Sequence, residues 1–329
     1  MRRILITGAR GQLGSELRHI LRTGRAQRGS LPASYRHAQL TFTNSRELDI
    51  TNARAIKRFV GQSGFDLIIN CAGYTDVDGC ETNQGLAYAV NAQGADNLAQ
   101  TAQNMQATLV HLSTDYVFAG DDPIPRVESD PCEPQSVYGK SKLLGEQAVS
   151  RECTRHFIVR TAWLYGLTGK NFVKAILGRA RSSEEIKVVH DQHGSPTAAN
   201  DLAYELLRLA LEKDYGIYHC TNDGACTWFD FAVEIIKKAG ISCKVIPCLT
   251  TEFPRPARRP TYSVLNNARL RATIGDAMRP WQDALAEHLV LLEDASQEGA
   301  QKGGFRQGRE TNTGQEAPQE DMPETGARP

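Results

Sequence analysis

The chain has 329 residues, of which 40% are hydrophobic and 23% are charged, and its 38 basic residues balance its 38 acidic ones. The composition is ordinary for a globular protein, and the length suits two domains or one large α/β domain with additions. A net charge of zero gives no reason to expect a nucleic-acid or membrane partner, and no apolar run approaches the ~20 residues that span a bilayer.

The cysteines argue against a metal or disulfide framework. The eight cysteines form no C-x-x-C pair, and no Cys/His spacing matches a zinc site. Several lie in apolar runs, as buried free thiols do. Together with the absence of a signal peptide, this pattern leads us to expect a reducing, cytoplasmic location and no metal.

Strands and helices alternate through the first half of the chain. The apolar pattern predicts strands near 2–8, 39–44, 65–73, 107–118 and 155–166, and helices over 11–24, 86–105 and 135–150. The run at 65–73 is apolar throughout, which is typical of a strand buried on both faces. The alternation predicts right-handed parallel crossovers, and hence an α/β fold with a Rossmann-type doubly wound parallel sheet.

The second half is less regular. It is predicted to contain helices over 171–180, 200–213, 228–240 and 279–295, and strands over 186–191, 216–220 and 243–248. We assign 1–162 to an NAD(P)-binding Rossmann domain, to which segments within about 186–215 return, and 163–295 mainly to a smaller C-terminal substrate-binding domain. Residues 296–329 have one aromatic and almost no aliphatic side chain, so they are predicted to form a disordered tail.

A glycine-rich turn follows the first strand. In TGARGQLG, Gly8, Gly11 and Gly14 have the spacing G-x-x-G-x-x-G. Glycines there allow a tight turn, close approach of a pyrophosphate and close packing of the helix on the sheet, and the helix N-terminus offers free N–H groups to phosphate. The position between a strand and an amphipathic helix favours a dinucleotide site over a purely structural turn.

The residues after the second strand bear on the choice of cofactor. An acidic residue there usually binds the adenosine ribose and repels a 2′-phosphate. Here Asn44 takes that position, Ser45 and Arg46 follow it, and Arg10 lies inside the glycine loop. A neutral side chain with two nearby arginines should admit a 2′-phosphate, so we expect NADPH, with NADH as the alternative.

The next two candidates are Asp49 and Ile50, which we expect to flank the adenine. For Asp49 an N-terminal cap of the following helix is an equally good interpretation.

Polar side chains end the strand over 107–118. Ser113, Thr114 and Asp115 fall at its carboxyl end, where ligands bind in a doubly wound sheet. The next helix carries Tyr138 and, one turn on and on the same face, Lys142. By itself Y-x-x-x-K is often a solvated first turn with an aromatic side chain on the core. After the glycine loop and LSTD it favours catalysis.

The chemistry of this set is reduction of a ketone. A phenol with a pKa near ~10 is a poor acid–base group at neutral pH, and we expect the Lys142 ammonium to lower the pKa of Tyr138. Lys142 is also expected to hold the nicotinamide ribose, and Thr114 to donate a hydrogen bond to the substrate carbonyl oxygen. Tyr138 would protonate the new alkoxide as hydride arrives from the nicotinamide. Lys140 is expected to be a surface residue.

The chain resembles the extended short-chain dehydrogenase/reductase family in ordered blocks, namely TGxxGxxG, NCAGYTDVDGCE, NAQGADNLA, LSTDYVF, VYGKSKLLGE and RTAWLYG. More narrowly, it resembles the dTDP-4-dehydrorhamnose reductases of that family over about residues 1–295, with DQHGSPT and PRPARRP in the second half. This resemblance implies NAD(P)H-dependent reduction of the 4-keto group of a small-molecule nucleotide sugar, dTDP-4-dehydro-L-rhamnose, to dTDP-L-rhamnose.

The resemblance also implies the roles of individual residues. The catalytic set is Thr114, Tyr138 and Lys142. The cofactor positions are Gly8, Gly11, Gln12, Leu13, Gly14, Ala72, Gly73, Tyr74, Thr75 and Leu112. The substrate positions are Thr114, Asp115 and Trp163, and Arg258 and Arg259 are candidates for the nucleotide pyrophosphate. Trp163 could instead be a core residue, and the two arginines a solvated basic turn.

The chain departs from the family pattern at the residues implied to bind magnesium at a dimer interface. Some members of the family bind magnesium through acidic residues at a dimer interface, and Glu16 is a candidate for one of these. Asn200 stands where a second acidic residue is implied, so Mg²⁺ is doubtful and either a monomer or a homodimer is open. The alternatives in function are another sugar-nucleotide reductase or epimerase, or a non-catalytic module like the regulatory subunit of methionine adenosyltransferase.

Overall fold

The computed structural model describes residues 2–61, 64–275 and 278–304, with side chains up to residue 295. The strands are β1 (Arg3–Thr7), β2 (Arg25–Ala26), β3 (Gly29–Ser30), β4 (Gln39–Phe42), β5 (Leu67–Asn70), β6 (Thr108–Thr114), β7 (His156–Thr161), β8 (Leu164–Tyr165), β9 (Glu185–Val189), β10 (His193–Gly194), β11 (Thr197–Ala198), β12 (Gly216–His219), β13 (Cys226–Thr227) and β14 (Lys244–Cys248). The helices are α1 (Gln12–Thr23), α2 (Ala53–Val60), α3 (Val77–Thr82), α4 (Gln84–Tyr88), α5 (Gly94–Asn104), α6 (Val137–Glu152), α7 (Phe172–Ala180), α8 (Ala199–Leu209), α9 (Trp228–Lys238), α10 (Ala268–Ile274) and α11 (Trp281–Gly304).

A six-stranded sheet in the order β12-β7-β6-β5-β1-β4 forms the centre of the fold, and its paired strands are all parallel. After β1 the chain adds β4 on one side of that strand. It then adds β5, β6, β7 and β12 in turn on the other side. The order therefore reverses between β1 and β5, and a crevice forms at the carboxyl edge of such a switch point. The predicted α/β fold with a doubly wound parallel sheet is confirmed.

Both faces of this sheet are covered. Ile4 and Ile6 of β1 lie in a core shared with α1 and α8, whereas Leu5 between them lies in a core shared with α2, α5 and α6. Successive side chains of a strand point to opposite faces, so a sheet covered twice needs apolar residues at every position. This explains the uninterrupted apolar run of β5, in which all four residues are buried.

The segment 186–215 only partly returns to the Rossmann sheet as predicted. Helix α8 packs against α1, and β12, just beyond the segment, pairs with β7 at the edge of the sheet. The strand near 186–191 is not one of the segments that return, because β9 pairs with β14 in a separate two-stranded sheet. A strand pattern predicts that a segment pairs, but it does not identify the partner.

Contacts group residues 1–289 into one compact unit, and a second unit begins at Val290. The predicted boundary between 162 and 163 falls inside the first unit. The division of the chain into a cofactor-binding and a substrate-binding domain stays a prediction. Helix α11 continues to Gly304, past Ser296, where the disordered tail was predicted to begin. The remainder of the predicted tail lies outside the described residues.

Within the described part of the chain, none of the helices combines the length and the apolar character that crossing a bilayer requires.

Candidate active site

The loop between β1 and α1 brings main-chain atoms close together. Gly8 has a φ of +64°, and a Cβ on it would lie 2.6 Å from main-chain atoms of Cys71 and Ala72. A Cβ on Gly14 would lie 2.4 Å from the carbonyl oxygen of Gly8. Gly11 is the N-cap residue of α1 and provides no side-chain cap, and the first turn of the helix has no acidic residue. The N–H groups of this turn are therefore suited to bind a phosphate.

A cleft of about 340 Å³ opens at the switch point between β1 and β5. The predicted cofactor residues that line it are Gly8, Arg10, Gly11, Asn44, Asp49, Ile50, Ala72, Gly73 and Tyr74. They come from the loops after β1, β4 and β5, so residues far apart in the sequence meet in one site. Leu48, Cys71 and Val90 complete its wall and were not predicted. A volume of this size is at the lower end of the range for small-molecule sites.

Asn44 is hydrogen-bonded to the Glu47 carboxylate at the mouth of the cleft. Its main-chain N–H and its Nδ2 both donate to Glu47 Oε2, at 2.9 and 2.5 Å, and its Oδ1 accepts from the Arg46 N–H at 2.9 Å. The expected neutral environment for a 2′-phosphate therefore includes a carboxylate. The sequence prediction missed it because it considered only the residues immediately after the strand.

Asp49 and Ile50 follow in the same wall. Ile50 is buried, and a Cβ on Gly94 would lie 2.7 Å from its side chain. Asp49 Oδ1 accepts from the N–H and the hydroxyl of Thr51 at 2.9 and 2.8 Å. The alternative interpretation of Asp49 as a helix cap is wrong, because Asn52 caps α2 by accepting from the Ala55 N–H at 3.0 Å.

Asn91 fixes the turn that carries Tyr74. Its Oδ1 accepts from the Tyr74 N–H at 2.8 Å, and its Nδ2 donates to the Tyr74 carbonyl at 3.0 Å and to Ser141 Oγ at 3.0 Å. Asn91 is buried and lies in a π-helical turn, Ala89–Gln93, which interrupts the long helix predicted over 86–105. The sequence prediction assigned no role to Asn91, although an amide inside an otherwise helical pattern was a signal for one.

Tyr138 lies in the first turn of α6, next to the cofactor cleft. Its ring meets Tyr116 edge to face, with centroids 5.5 Å apart, and both belong to an aromatic cluster that includes Tyr74 of the cleft wall. The turn is capped by Ser136, whose Oγ accepts from the Gly139 N–H at 3.1 Å. These contacts hold the phenol at the carboxyl edge of the sheet.

The Tyr138 phenol lies close to Thr114, whose side chain acts to lower the phenol pKa. Thr114 Oγ1 in turn donates to Asp115 Oδ1 at 2.9 Å. All three side chains are buried. Burial raises the pKa of Asp115 to about 6, against the opposing hydrogen bonds of Ser263 and Thr114. Three polar groups, from β6, from the residue after it and from α6, thus lie together in one buried site.

The expected lowering of the Tyr138 pKa is wrong for the free protein. Burial raises the pKa of this phenol, the Thr114 hydrogen bond partly opposes that rise, and the Asp115 carboxylate adds to it. Lys142 is not among the groups that act on this phenol, and its Nζ donates to the Leu112 carbonyl at 2.5 Å. Tyr138 is therefore a protonated phenol at neutral pH, and this is the form that can donate a proton.

Lys142 is buried one turn after Tyr138. Burial lowers its pKa to about 8, while the neighbouring Glu146 carboxylate acts to raise it. The ammonium also lies near Cys71, a wall residue of the cleft, and therefore beside the predicted cofactor site. Leu112 contributes its carbonyl to this arrangement. Lys140 is exposed, as predicted.

Trp163 has a φ of +46°, and its ring stacks on Trp228 with centroids 3.4 Å apart. A Cβ on Gly194 would lie 2.4 Å from the same indole. These contacts account for the ring position without a ligand, and the predicted substrate role of Trp163 stays a prediction.

The two arginine candidates differ in environment. Arg258 is exposed and pairs with Asp121 at 2.9 Å. Arg259 is mostly buried and pairs with Asp78 at 2.9 Å, and its charge acts to lower the pKa of Tyr116, which burial raises. Since Tyr116 contacts Tyr138, Arg259 lies nearer the predicted chemistry than Arg258 does.

The cleft lining does not include seven of the predicted cofactor residues, namely Gln12, Leu13, Gly14, Thr75, Leu112, Tyr138 and Lys142. Leu13 is buried in the core, so its side chain cannot contact a dinucleotide. Gln12 Oε1 accepts from Asn171 Nδ2 at 3.0 Å. Thr75 is exposed beyond the turn.

The residues at the implied magnesium position do not fit a metal. Glu16 and Asn200 are both buried, and Asn200 Nδ2 donates to Glu16 Oε2 at 2.9 Å. Asn200 Oδ1 accepts from the Gln27 N–H at 2.9 Å. An amide N–H thus lies where a cation would need an oxygen ligand. Among the described residues, no cluster of three or more acidic, histidine or cysteine side chains could hold a metal ion.

Comparison with known proteins gives consistent matches along the chain. The family described as RmlD substrate binding domain matches residues 1–293. The dTDP-4-dehydrorhamnose reductase of Mycobacterium tuberculosis is 42% identical over 295 residues, covering 88% of this chain and 92% of that protein.

Two solved structures are similar over nearly their whole length. A dTDP-4-dehydrorhamnose reductase from Clostridium acetobutylicum is 47% identical with a TM-score of 0.83, covering 88% of this chain and 99% of that one. The enzyme of that name from Bacillus anthracis, solved in complex with NADP, is 39% identical with a TM-score of 0.81, at the same coverage of both chains.

Proposed function

The chain belongs to the RmlD substrate binding domain family, and on that basis we propose that it reduces the 4-keto group of dTDP-4-dehydro-L-rhamnose to give dTDP-L-rhamnose, with NADPH as the preferred cofactor. It is an oxidoreductase that uses a nicotinamide cofactor.

One observation carries the residue assignment. Tyr138, Thr114 and Lys142 come together at the carboxyl edge of the sheet, beside Cys71 and Tyr74 of the cleft. Residues 112–114 and residues 138–142 belong to different elements, and the fold joins them next to the crevice where α/β proteins bind dinucleotides. We infer that these three residues are the catalytic residues.

Tyr138 acts as the general acid. Reduction of a ketone leaves a negative charge on its oxygen, and that charge is quenched most directly by a hydrogen-bonded proton donor. Because burial raises the pKa of the Tyr138 phenol, nearly all of the enzyme carries that proton at neutral pH. The nicotinamide, when bound, supplies the hydride.

Thr114 and Lys142 stabilise the negative charge that develops on the ketone oxygen during reduction. Thr114 lies close to Tyr138 and is positioned to orient both the phenol and a substrate carbonyl. Lys142 supplies positive charge in a dry site, where the attraction between charges is stronger than in water.

The preference for NADPH rests on Arg10 in the lining of the cleft, since a guanidinium pairs well with a phosphate. Glu47 beside Asn44 works against that preference by like-charge repulsion. The substrate roles of Asp115, Trp163 and Arg258 remain part of the proposal, and Arg259 joins them because its ion pair lies nearer Tyr138.

The proposal is tested by incubating the purified chain with NADPH and dTDP-4-dehydro-L-rhamnose, and identifying the product. We expect one NADPH oxidised for each dTDP-L-rhamnose formed. An epimerase would retain its nucleotide through purification and show no net oxidation. A non-catalytic module would bind a partner enzyme and leave every nucleotide sugar unchanged. Either of these results would overturn the proposal.

A further inference from the structure

The catalytic helix is joined to the end of β6 at three successive turns. Tyr138, Lys142 and Glu146 lie four residues apart on α6, so their side chains share one face. Tyr138 lies close to Thr114, and Lys142 donates to the Leu112 carbonyl. Ser113 Oγ donates to Glu146 Oε1. Residues 112, 113 and 114 of one strand thus each contact one of these three side chains.

Glu146 is deeply buried and multiply bonded. Arg160, from the neighbouring strand β7, donates from Nε to Oε1 at 3.0 Å and from Nη2 to Oε2 at 2.6 Å. Both side chains are only about 2–3% exposed, and the guanidinium lies over the Phe118 ring at 5.0 Å. A buried ion pair is costly to desolvate and is often replaceable by apolar residues. Stability alone is therefore a weak explanation for placing one beside catalytic residues.

We propose that Glu146 is a positioning residue for the reduction, whose buried carboxylate keeps Lys142 in its charged form and holds α6 in register with β6. The proposal rests on the function proposed above, because only in that reaction does the charge of Lys142 matter.

The electrostatic part follows from the surroundings of Lys142. Burial disfavours its charged form, and the carboxylate one helical turn away favours it. The other titratable groups that face it are Tyr138 on its own helix, Cys71 after β5 and His111 on β6. Burial raises the pKa of Tyr138, raises that of Cys71 to about 12 and lowers that of His111, so all three are neutral near pH 7. Among these groups, Glu146 therefore supplies the negative charge.

The pKa of Lys142 is the direct readout, and it is measured in the free protein without substrate. The chain is prepared with isotope-labelled lysine, and the side-chain resonance of Lys142 is assigned by its loss in Lys142→Arg and followed by NMR against pH. In Glu146→Gln we expect the pKa of Lys142 to fall by about one unit. The alkaline limb of kcat/KM should move by the same amount.

Glu146→Gln leaves the Arg160 guanidinium buried without its partner, so this variant could fail to fold. A second variant is therefore tested as well. The double variant Glu146→Leu with Arg160→Met removes both charges and fills the space with apolar groups. It should show a smaller fall in the pKa of Lys142 in the same direction, because the Arg160 charge that opposes Glu146 is removed as well.

Asp201→Asn is the matched control. Asp201 is fully buried and pairs with Arg279 at 2.8 Å, on helix α8 at the other face of the sheet. This variant should lower the melting temperature and leave the pKa of Lys142 at its parental value. A parental pKa of Lys142 in folded Glu146→Gln or in the double variant would overturn the inference. Absence of turnover by the parental chain would instead overturn the proposed function.

Discussion

Asn44 and Glu47 are joined at the mouth of the cofactor cleft, where the main-chain N–H and the Nδ2 of Asn44 donate to the same Glu47 carboxylate oxygen at 2.9 and 2.5 Å. A carboxylate here opposes a 2′-phosphate, whereas Arg10 in the lining of the cleft favours one. We expect the balance of these two charges to set the preference between NADPH and NADH.

Changing either charge should shift that preference in a predictable direction. Arg10→Ala is expected to lower the ratio of kcat/KM for NADPH to that for NADH by about tenfold, which corresponds to the loss of one exposed charge-assisted contact of ~1.4 kcal/mol. Steady-state kinetics with both cofactors measure the ratio.

Glu47→Gln serves as the opposing control. It removes the negative charge but keeps the length of the side chain, and it should raise the same ratio by a few-fold, most clearly at low salt. An equal effect of either substitution on both cofactors would show that the 2′-phosphate does not bind at this position.

The pH dependence should have an alkaline limb set by Lys142. Its pKa is lowered to about 8 by burial, so the charged form predominates below pH 8 and is lost above it. Because the charged form supports the reaction, kcat/KM should be constant from neutral pH to about 7.5 and fall tenfold per unit well above 8. Lys140→Met, which changes an exposed lysine two residues away, should leave the profile as it is. A limb near the ordinary lysine pKa would contradict this account.

Close packing at Gly14 should make substitution there destabilising. A Cβ at this position would lie 2.4 Å from Gly8 O and 2.6 Å from Ala9 Cα, both main-chain atoms that cannot rotate away. Gly14→Ala is expected to lower the free energy of unfolding by about 1–3 kcal/mol and to weaken NADPH binding. Urea denaturation measures the first effect.

Gly178→Ala provides the comparison for that substitution. Gly178 lies inside α7, and nothing lies within 4 Å of its Cβ position. Alanine should stabilise the helix by about 0.5–1 kcal/mol. Equal effects of the two substitutions would rule out the packing argument.

Turnover should not depend on magnesium, because the Asn200 amide donates to Glu16 where a metal would need an oxygen ligand. Dialysis against a chelator is expected to leave kcat/KM and the melting temperature unchanged. Asn200→Glu would bring two buried carboxylates together, so it should lower the melting temperature in metal-free buffer. A loss of activity in chelator that Mg²⁺ restores would contradict the prediction.

Strands β1, β5, β6 and β7 of the central sheet were predictable because each is a largely apolar run between turn residues. The pairing of β9 was not predictable, since residues 185–189 have an ordinary strand pattern and their partner is β14, far along the chain. Local pattern determines whether a strand forms, but tertiary packing determines where it pairs.

The site was predictable wherever function requires an unusual residue at a fixed spacing, as for Tyr138 and Lys142 or the glycines of the first loop. Two features could not be predicted in this way. The pKa of Tyr138 depends on burial, which Y-x-x-x-K does not encode, and it moves in the direction opposite to the prediction. Glu47 acts through a hydrogen bond to Asn44 that only the folded turn creates.

The central claim is that the Tyr138 phenol protonates the C4 oxygen of the sugar during reduction. The most direct test compares the parental chain with Tyr138→Phe in single turnovers of NADPH and dTDP-4-dehydro-L-rhamnose, with NADPH affinity measured separately. We predict a rate about 10²–10⁴-fold lower in Tyr138→Phe with the NADPH dissociation constant unchanged, as expected for loss of a general acid. A single-turnover rate equal to that of the parental chain would contradict the account.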